Sequence, residues 1–125
     1  MSSFRDLDVW QLGMDLVVEV YKLCKILPPE ERFALTDQLR RAVISVPSNV
    51  AEGFSRNSPK EFRHFLQIAS GSRAEVQTQL LIAERVGLLT REQTKPALLL
   101  TERLGKALHA LAEYQHNQIS PKRSD

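Results

Sequence analysis

The chain has 125 residues, 42% hydrophobic and 26% charged, a balance that excludes a disordered polymer and fits one domain with a core of its own. Seventeen basic residues against fifteen acidic ones leave a net charge of +2, too little basic excess for a dedicated duplex-DNA binder. A lone cysteine, Cys24, excludes an intrachain disulfide framework, and no apolar run reaches membrane-spanning length.

Helix one is predicted from about Asp8 to Leu27, ended by Pro28-Pro29 because a proline disfavours helical backbone in the residue before it. Its polar stripe (Asp8, Gln11, Asp15, Glu19 and Lys22) is narrow. Val9, Leu12, Leu16, Val20 and Leu23 form one apolar row; Trp10, Met14, Val17, Tyr21 and Cys24 form another. Together they span roughly 240°, against the ~100° stripe of an ordinary surface helix. Either the helix is central in its own bundle, or the second row is a subunit interface. Trp10, Met14, Val17 and Tyr21, with Leu98 and Leu99 on helix four, are the interface candidates. Cys24 lies among apolar neighbours and reads as a buried, inert thiol rather than a nucleophile.

Helix two is predicted from the Pro29-Glu30-Glu31 start to about Phe54, with Leu35, Leu39, Ala42, Val46 and Val50 on the core face and Gly53 as a stop. Pro47 interrupts it and should kink it, with the Val43 carbonyl satisfied by Ser or Asn side chains or by water. A polar seam of Gln38, Ala42, Ser45, Asn49, Glu52 and Arg56 steps down the same helix, small enough to admit a close neighbour.

Helix three starts at Ser58-Pro59-Lys60-Glu61, an N-cap, a first-position proline and a capping-box glutamate. Its expected core stripe is Phe62, Phe65, Ala69, Ser72, Val76, Leu80, Ala83 and Val86, and Gly87 ends it. Thr90 to Gln93 is a second capping box. Helix four should run to about Gln115, with Leu100, Leu104, Leu108 and Leu111 inward and Pro96 obscuring its first turns. The expected fold is all-α: one antiparallel up-down-up-down four-helix bundle over residues 1–116, followed by a flexible tail over 117–125.

Two Glu-x-x-His pairs, Glu61 with His64 and Glu113 with His116, resemble the ligand pairs of di-iron bundles. Helical phase argues against them: Glu113 points about 170° from the Leu104–Leu111 face, and His64 lies roughly opposite the Phe62–Ala69 face. No phosphate-binding glycine loop, nucleophile elbow or zinc-protease motif is present. No catalytic residue, metal or cofactor is expected, although a metal-dependent bundle enzyme built on these pairs is the alternative reading. The corner between helices two and three combines Arg56, Lys60, Arg63 and His64 with a helix N-terminus, which attracts anions such as phosphate. Arg40 and Arg41 add charge further up helix two. These six are the nucleic-acid-binding candidates; a solvated corner without ligand is the other possibility.

The strings Gln38-Leu39-Arg40-Arg41-Ala42 and Ser45-Val46-Pro47-Ser48-Asn49-Val50-Ala51-Glu52-Gly53 resemble the signature of bacterial four-helix-bundle proteins first recognised in intervening sequences of large-subunit ribosomal RNA genes. Phe65 to Ser72 with Glu75 resembles the family's second block, and Leu7, Val9, Trp10, Leu27 and Pro28 also fit. The resemblance runs from about Phe4 to Tyr114. It implies a bundle that assembles as a ring-like homopentamer, has no enzyme activity, and is akin to accessory proteins of diversity-generating retroelements, which bind nucleic acid and a reverse transcriptase. The expected partners are therefore other copies of the chain, and RNA or a nucleic-acid-processing protein, in the cytoplasm and away from membranes. Val46 and Val50 stand where isoleucine is expected. Arg73 stands where an apolar residue is expected, which bears on the packing of helix three or on the interface.

Overall fold

The computed structural model describes residues 3–119. After a short 3-10 turn at Phe4–Asp6, four α-helices follow: α1 (Asp8–Cys24), α2 (Leu35–Ser55), α3 (Pro59–Arg85) and α4 (Arg91–Ile119). Each helix packs on its two neighbours in the order α1, α2, α3, α4 and back to α1; the backbones of the diagonal pairs α1/α3 and α2/α4 do not approach each other closely. This is an antiparallel up-down-up-down bundle. Its core is one continuous cluster that includes Leu16, Val20, Leu39, Val46, Val50, Leu66, Val76, Leu80, Leu104 and Leu108. No helix among the described residues is long and apolar enough to cross a membrane.

The helix boundaries differ from the sequence expectation where proline and backbone sterics intervene. The α-helical part of α1 ends at Cys24, not Leu27, and the chain tightens so that the Ile26 and Leu27 amides both donate to the Leu23 carbonyl, at 2.9 and 3.2 Å. Pro28 forces the residue before it out of helical geometry, and the preceding turn adjusts. Pro29–Glu31 forms only a 3-10 turn, and α2 begins later, because Ala34 leaves the helical region at φ −120°, ψ −104°. At the far end, α4 continues through Asn117 to Ile119, beyond the expected end at Gln115; the remainder of the expected tail, 120–125, lies outside the described residues.

Gly53 does not stop α2. It lies two residues before the helix ends, and the left-handed residue that turns the chain is Asn57, at φ 56°. Gly53 instead marks the closest approach of α2 and α3: a Cβ built there would stand 2.6 Å from Phe65 Cβ and 3.0 Å from Phe62 Cδ1. Further along the same seam the Ser45 and Ser72 hydroxyls meet at 2.8 Å, and Asn49 Nδ2 donates to both the Ser45 carbonyl and Ser45 Oγ at 2.8 Å. The helix is continuous through Pro47. Ser45 and Asn49 thus serve each other and Ser72, rather than the Val43 carbonyl for which they were expected. The Pro47 ring is buried against α1, where Gly13 supplies the space: a Cβ there would meet Pro47 and Val46 at 3.4 Å.

Both capping expectations are met in different degrees. Thr90 and Gln93 form the complete box, with Gln93 N–H donating to Thr90 Oγ1 at 3.1 Å and Thr90 N–H donating to Gln93 Oε1 at 2.9 Å. Ser58 Oγ accepts from Glu61 N–H at 3.3 Å, but the Glu61 carboxylate turns to Arg56 instead of completing the box. Arg73 is accommodated by α4 at Gly105, whose missing side chain leaves room for the guanidinium; Arg73 Nη1 donates to Gln77 Oε1 at 2.9 Å and to the Thr101 carbonyl at 3.4 Å.

Gly53→Ala forces a methyl into the α2–α3 contact and should lower stability by about 1–3 kcal/mol. Gly71→Ala, on the exposed face of α3 where nothing stands within 4 Å, should raise stability by up to ~1 kcal/mol by helix propensity alone. Urea titrations followed by circular dichroism separate the two, and equal effects would refute the close-approach argument.

Candidate nucleic-acid and oligomer interfaces

The six basic candidates divide into two places. Arg40 and Arg56 are sixteen residues apart on one helix, roughly 24 Å along its axis, so Arg40 and Arg41 do not share a patch with the α2–α3 corner. Arg41 pairs with Asp37 at 3.2 Å, and the Arg40 guanidinium lies 5.5 Å from the Tyr21 ring centroid. At the corner, Arg56 is held by two carboxylates, Glu52 at 2.9 Å and Glu61 at 3.3 Å, and lies over the Phe65 ring at 5.1 Å. Its charge is spent within the protein. Lys60 is fully available at the surface, while Arg63 is half-buried with an Nε that finds no hydrogen-bond partner. His64 is exposed and meets Phe65 edge to face, with centroids 5.4 Å apart. The corner's usable cations are therefore Lys60 and Arg63; the pairing of Arg56 is local, with Glu52 four residues before it and Glu61 five after, and was legible in the sequence though not drawn from it.

Both Glu-x-x-His pairs lie on exposed faces, as helical phase places them, and Glu61 is engaged by Arg56. Among the described residues no three His, Cys, Asp or Glu side chains converge in a way that could hold a metal ion.

The interface candidates of α1 are graded by burial. Trp10 is half-buried against Phe4, with centroids 5.4 Å apart, and Val17 is half-buried. Met14 and Tyr21 are exposed, and between them stands Val18, 52% exposed, which sequence reasoning did not single out. The row that faces outward is thus Met14, Val18 and Tyr21, at helical spacing. On α4, Leu98 is half-buried and Leu99 is 51% exposed. Other exposed apolar side chains were not singled out: Ile68 near the start of α3, Leu81 (48% exposed) and Ile82 (47% exposed) about 20 Å further along it, and Ile44 on neighbouring α2; Val86, expected in the core stripe, is instead 62% exposed just past the end of α3. Their signal was present in the sequence, since Ile68, Leu81 and Ile82 fall off the core stripe of helix three.

Cys24 is buried at the end of α1. Burial pushes its thiol above the ordinary value, and the positive charge and hydrogen bonding of Arg40 pull the other way without overcoming it.

These features define a class before they define a family: a four-helix bundle that leaves apolar side chains exposed on its outer faces. The chain belongs to the 23S rRNA-intervening sequence protein family, whose pattern it matches over residues 5–110. Among solved structures, a protein of unknown function of the S23 ribosomal protein family from Bacteroides thetaiotaomicron VPI-5482 superposes with a TM-score of 0.78 at 24% identity. The match covers 84% of this chain and 98% of that one, and it supports the shared fold. No curated protein matches the sequence.

A raised thiol pKa and burial make Cys24 a poor nucleophile. Alkylation by iodoacetamide at pH 7.5 should be at least about tenfold slower in the native protein than in urea-unfolded protein; equal rates would show that the thiol is open to solvent.

Proposed function

We propose that the protein is a non-catalytic, ring-forming homo-oligomer that works as a scaffold, with RNA as the ligand its basic corner serves best. The observation that carries this reading is that apolar side chains are left exposed on two diagonally opposed helices. Met14, Val18 and Tyr21 lie on α1; Ile68, Leu81 and Ile82 lie on α3; and α1 and α3 stand at diagonal corners of the bundle. Two distinct patches on different sides of one subunit favour head-to-tail contacts, and head-to-tail contacts close into rings when the rotation allows. Exposed apolar patches of this kind usually mark contacts between proteins. The family resemblance sets the expected number at five.

A ring repeats the α2–α3 corner once per subunit. A weak phosphate contact through Lys60 and Arg63 then gains by avidity without any new interaction. Such binding would be salt-sensitive and would show little base preference, because cations on phosphates position a ligand without reading its sequence.

Val18→Asp places a charge in the contact and should dissociate the assembly to monomer while helical content is retained. Sedimentation velocity at micromolar concentration checks this, and a wild-type protein that sediments only as monomer would overturn the assembly. Lys60→Ala with Arg63→Ala should weaken RNA binding and flatten its salt dependence while assembly persists; Arg56→Ala, already neutralised by Glu52 and Glu61, should do less. Fluorescence polarisation with a labelled single-stranded RNA decides the ligand. Absence of binding at low salt would remove RNA and leave protein partners.

A further inference from the structure

At the end of the bundle where α1 gives way to α2 there is an open cavity of about 360 Å³. Its lining includes Cys24, Pro28, Pro29, Arg32, Thr36 and Arg40. Thr36 is the unusual member. It is 5% exposed, yet its hydroxyl has no hydrogen-bond partner among the described residues, whereas the buried threonines of α4 do: Thr94 Oγ1 donates to Glu84 Oε2 at 2.8 Å and Thr101 Oγ1 donates to the Leu98 carbonyl at 2.7 Å. The hydroxyl is not sealed from water: the fully buried orphan side-chain atoms among the described residues are Arg63 Nε, Arg73 Nε and Gln79 Oε1, so Thr36 Oγ1 opens onto the cavity.

The donors around it point the same way. The α2 N-terminus carries no side-chain cap. The Leu35 amide donates to Glu31 Oε1 at 3.4 Å, and the backbone ladder opens with the Gln38 amide on the Ala34 carbonyl at 3.0 Å. Between them, the Thr36 and Asp37 amides have no backbone acceptor among the described residues. Helix N-termini with free amides stabilise anions. Arg32 and Arg40 line the cavity, and neither forms a salt bridge among the described residues, in contrast to Arg41, which Asp37 holds. Of the nearby carboxylates, Glu31 is at the Leu35 amide and Asp37 is with Arg41, and neither lines the cavity.

We propose that this cavity is a binding site for a small phosphate-bearing molecule, its phosphate held by Arg32, Arg40 and the Thr36 hydroxyl at the α2 N-terminus. Two guanidinium groups and a hydroxyl form a donor set for a tetrahedral dianion with several acceptor oxygens, and arginine suits that geometry better than lysine does. The apolar ring faces of Pro28 and Pro29 give the remaining volume a surface for the organic part of a phosphate ester. The site is independent of the α2–α3 corner, since Arg40 is some 24 Å along α2 from Arg56.

The test is calorimetric titration of the whole chain with inorganic phosphate, with adenosine 5′-monophosphate and with adenosine, at constant ionic strength maintained with sodium chloride. Thermal unfolding is followed in the same solutions. Phosphate or the monophosphate should bind saturably and raise the unfolding midpoint, while adenosine should not. A response to phosphate alone identifies the free ion as ligand, and tighter binding of the monophosphate identifies an ester. Arg40→Gln and Thr36→Val should each weaken binding by at least about tenfold, and Arg41→Gln should leave it unchanged. Thr36→Val preserves shape in a buried place; should it fail to fold, the exposed Arg40→Gln variant still decides. Lack of saturable binding by either phosphate probe, or equal weakening by Arg40→Gln and Arg41→Gln, would overturn the proposal.

Discussion

The bundle depends on how closely α2 can approach α3. At Gly53 the two helices come together at a distance that leaves no space for a methyl group, because the Phe62 and Phe65 side chains fill the place where a Cβ would sit. The rest of the seam follows from that approach. Ser45 and Ser72 come within hydrogen-bonding distance, Asn49 closes the group, and two hydroxyls and an amide are buried with partners rather than at a loss. Small polar residues here allow proximity and are satisfied by it. The same logic operates on the other side of α2, where Gly13 of α1 receives the Pro47 ring.

With α2 fixed between α1 and α3, the outward faces of the bundle are also set. Helices α1 and α3 occupy opposite corners, so the apolar residues each has beyond the needs of the core are exposed in different directions. The electrostatics are local by comparison. Several of the cations are paired with carboxylates or aromatic rings, and the pairs formed by Arg41 and Arg56 are exposed, where such interactions are worth only about 0–1 kcal/mol. Charge here bears on ligands more than on stability.

Arg73 shows how a long cation is absorbed at a helix–helix contact. A long cation in place of an apolar residue on α3 would ordinarily disturb the packing against α4. Here Gly105 leaves room for the guanidinium, and Gln77 and the Thr101 carbonyl accept its protons. The residue thereby becomes part of the α3–α4 contact. Along α4 itself, Thr94, Ala97 and Thr101 join Leu104 and Leu108 in the buried face, a stretch that leucine spacing alone underreported because two of its members are threonines.

Helical periodicity, the caps at Ser58 and Thr90 and the Pro28-Pro29 break were enough to determine four helices, their order and most of the core, because each of these signals acts within a few residues of itself. The family was legible for the same reason, in contiguous strings along helices two and three. Only the tertiary structure decided what depends on neighbours distant in sequence. It assigned Gly53 to a helix contact rather than a stop, and it set Arg73 into the space at Gly105. It also turned Val18 outward beside Met14 and Tyr21, and set Thr36, Arg32 and Arg40 around one cavity. Whether a side chain is paired, covered or free is a property of the surface opposite it, and that surface exists only once the four helices are packed.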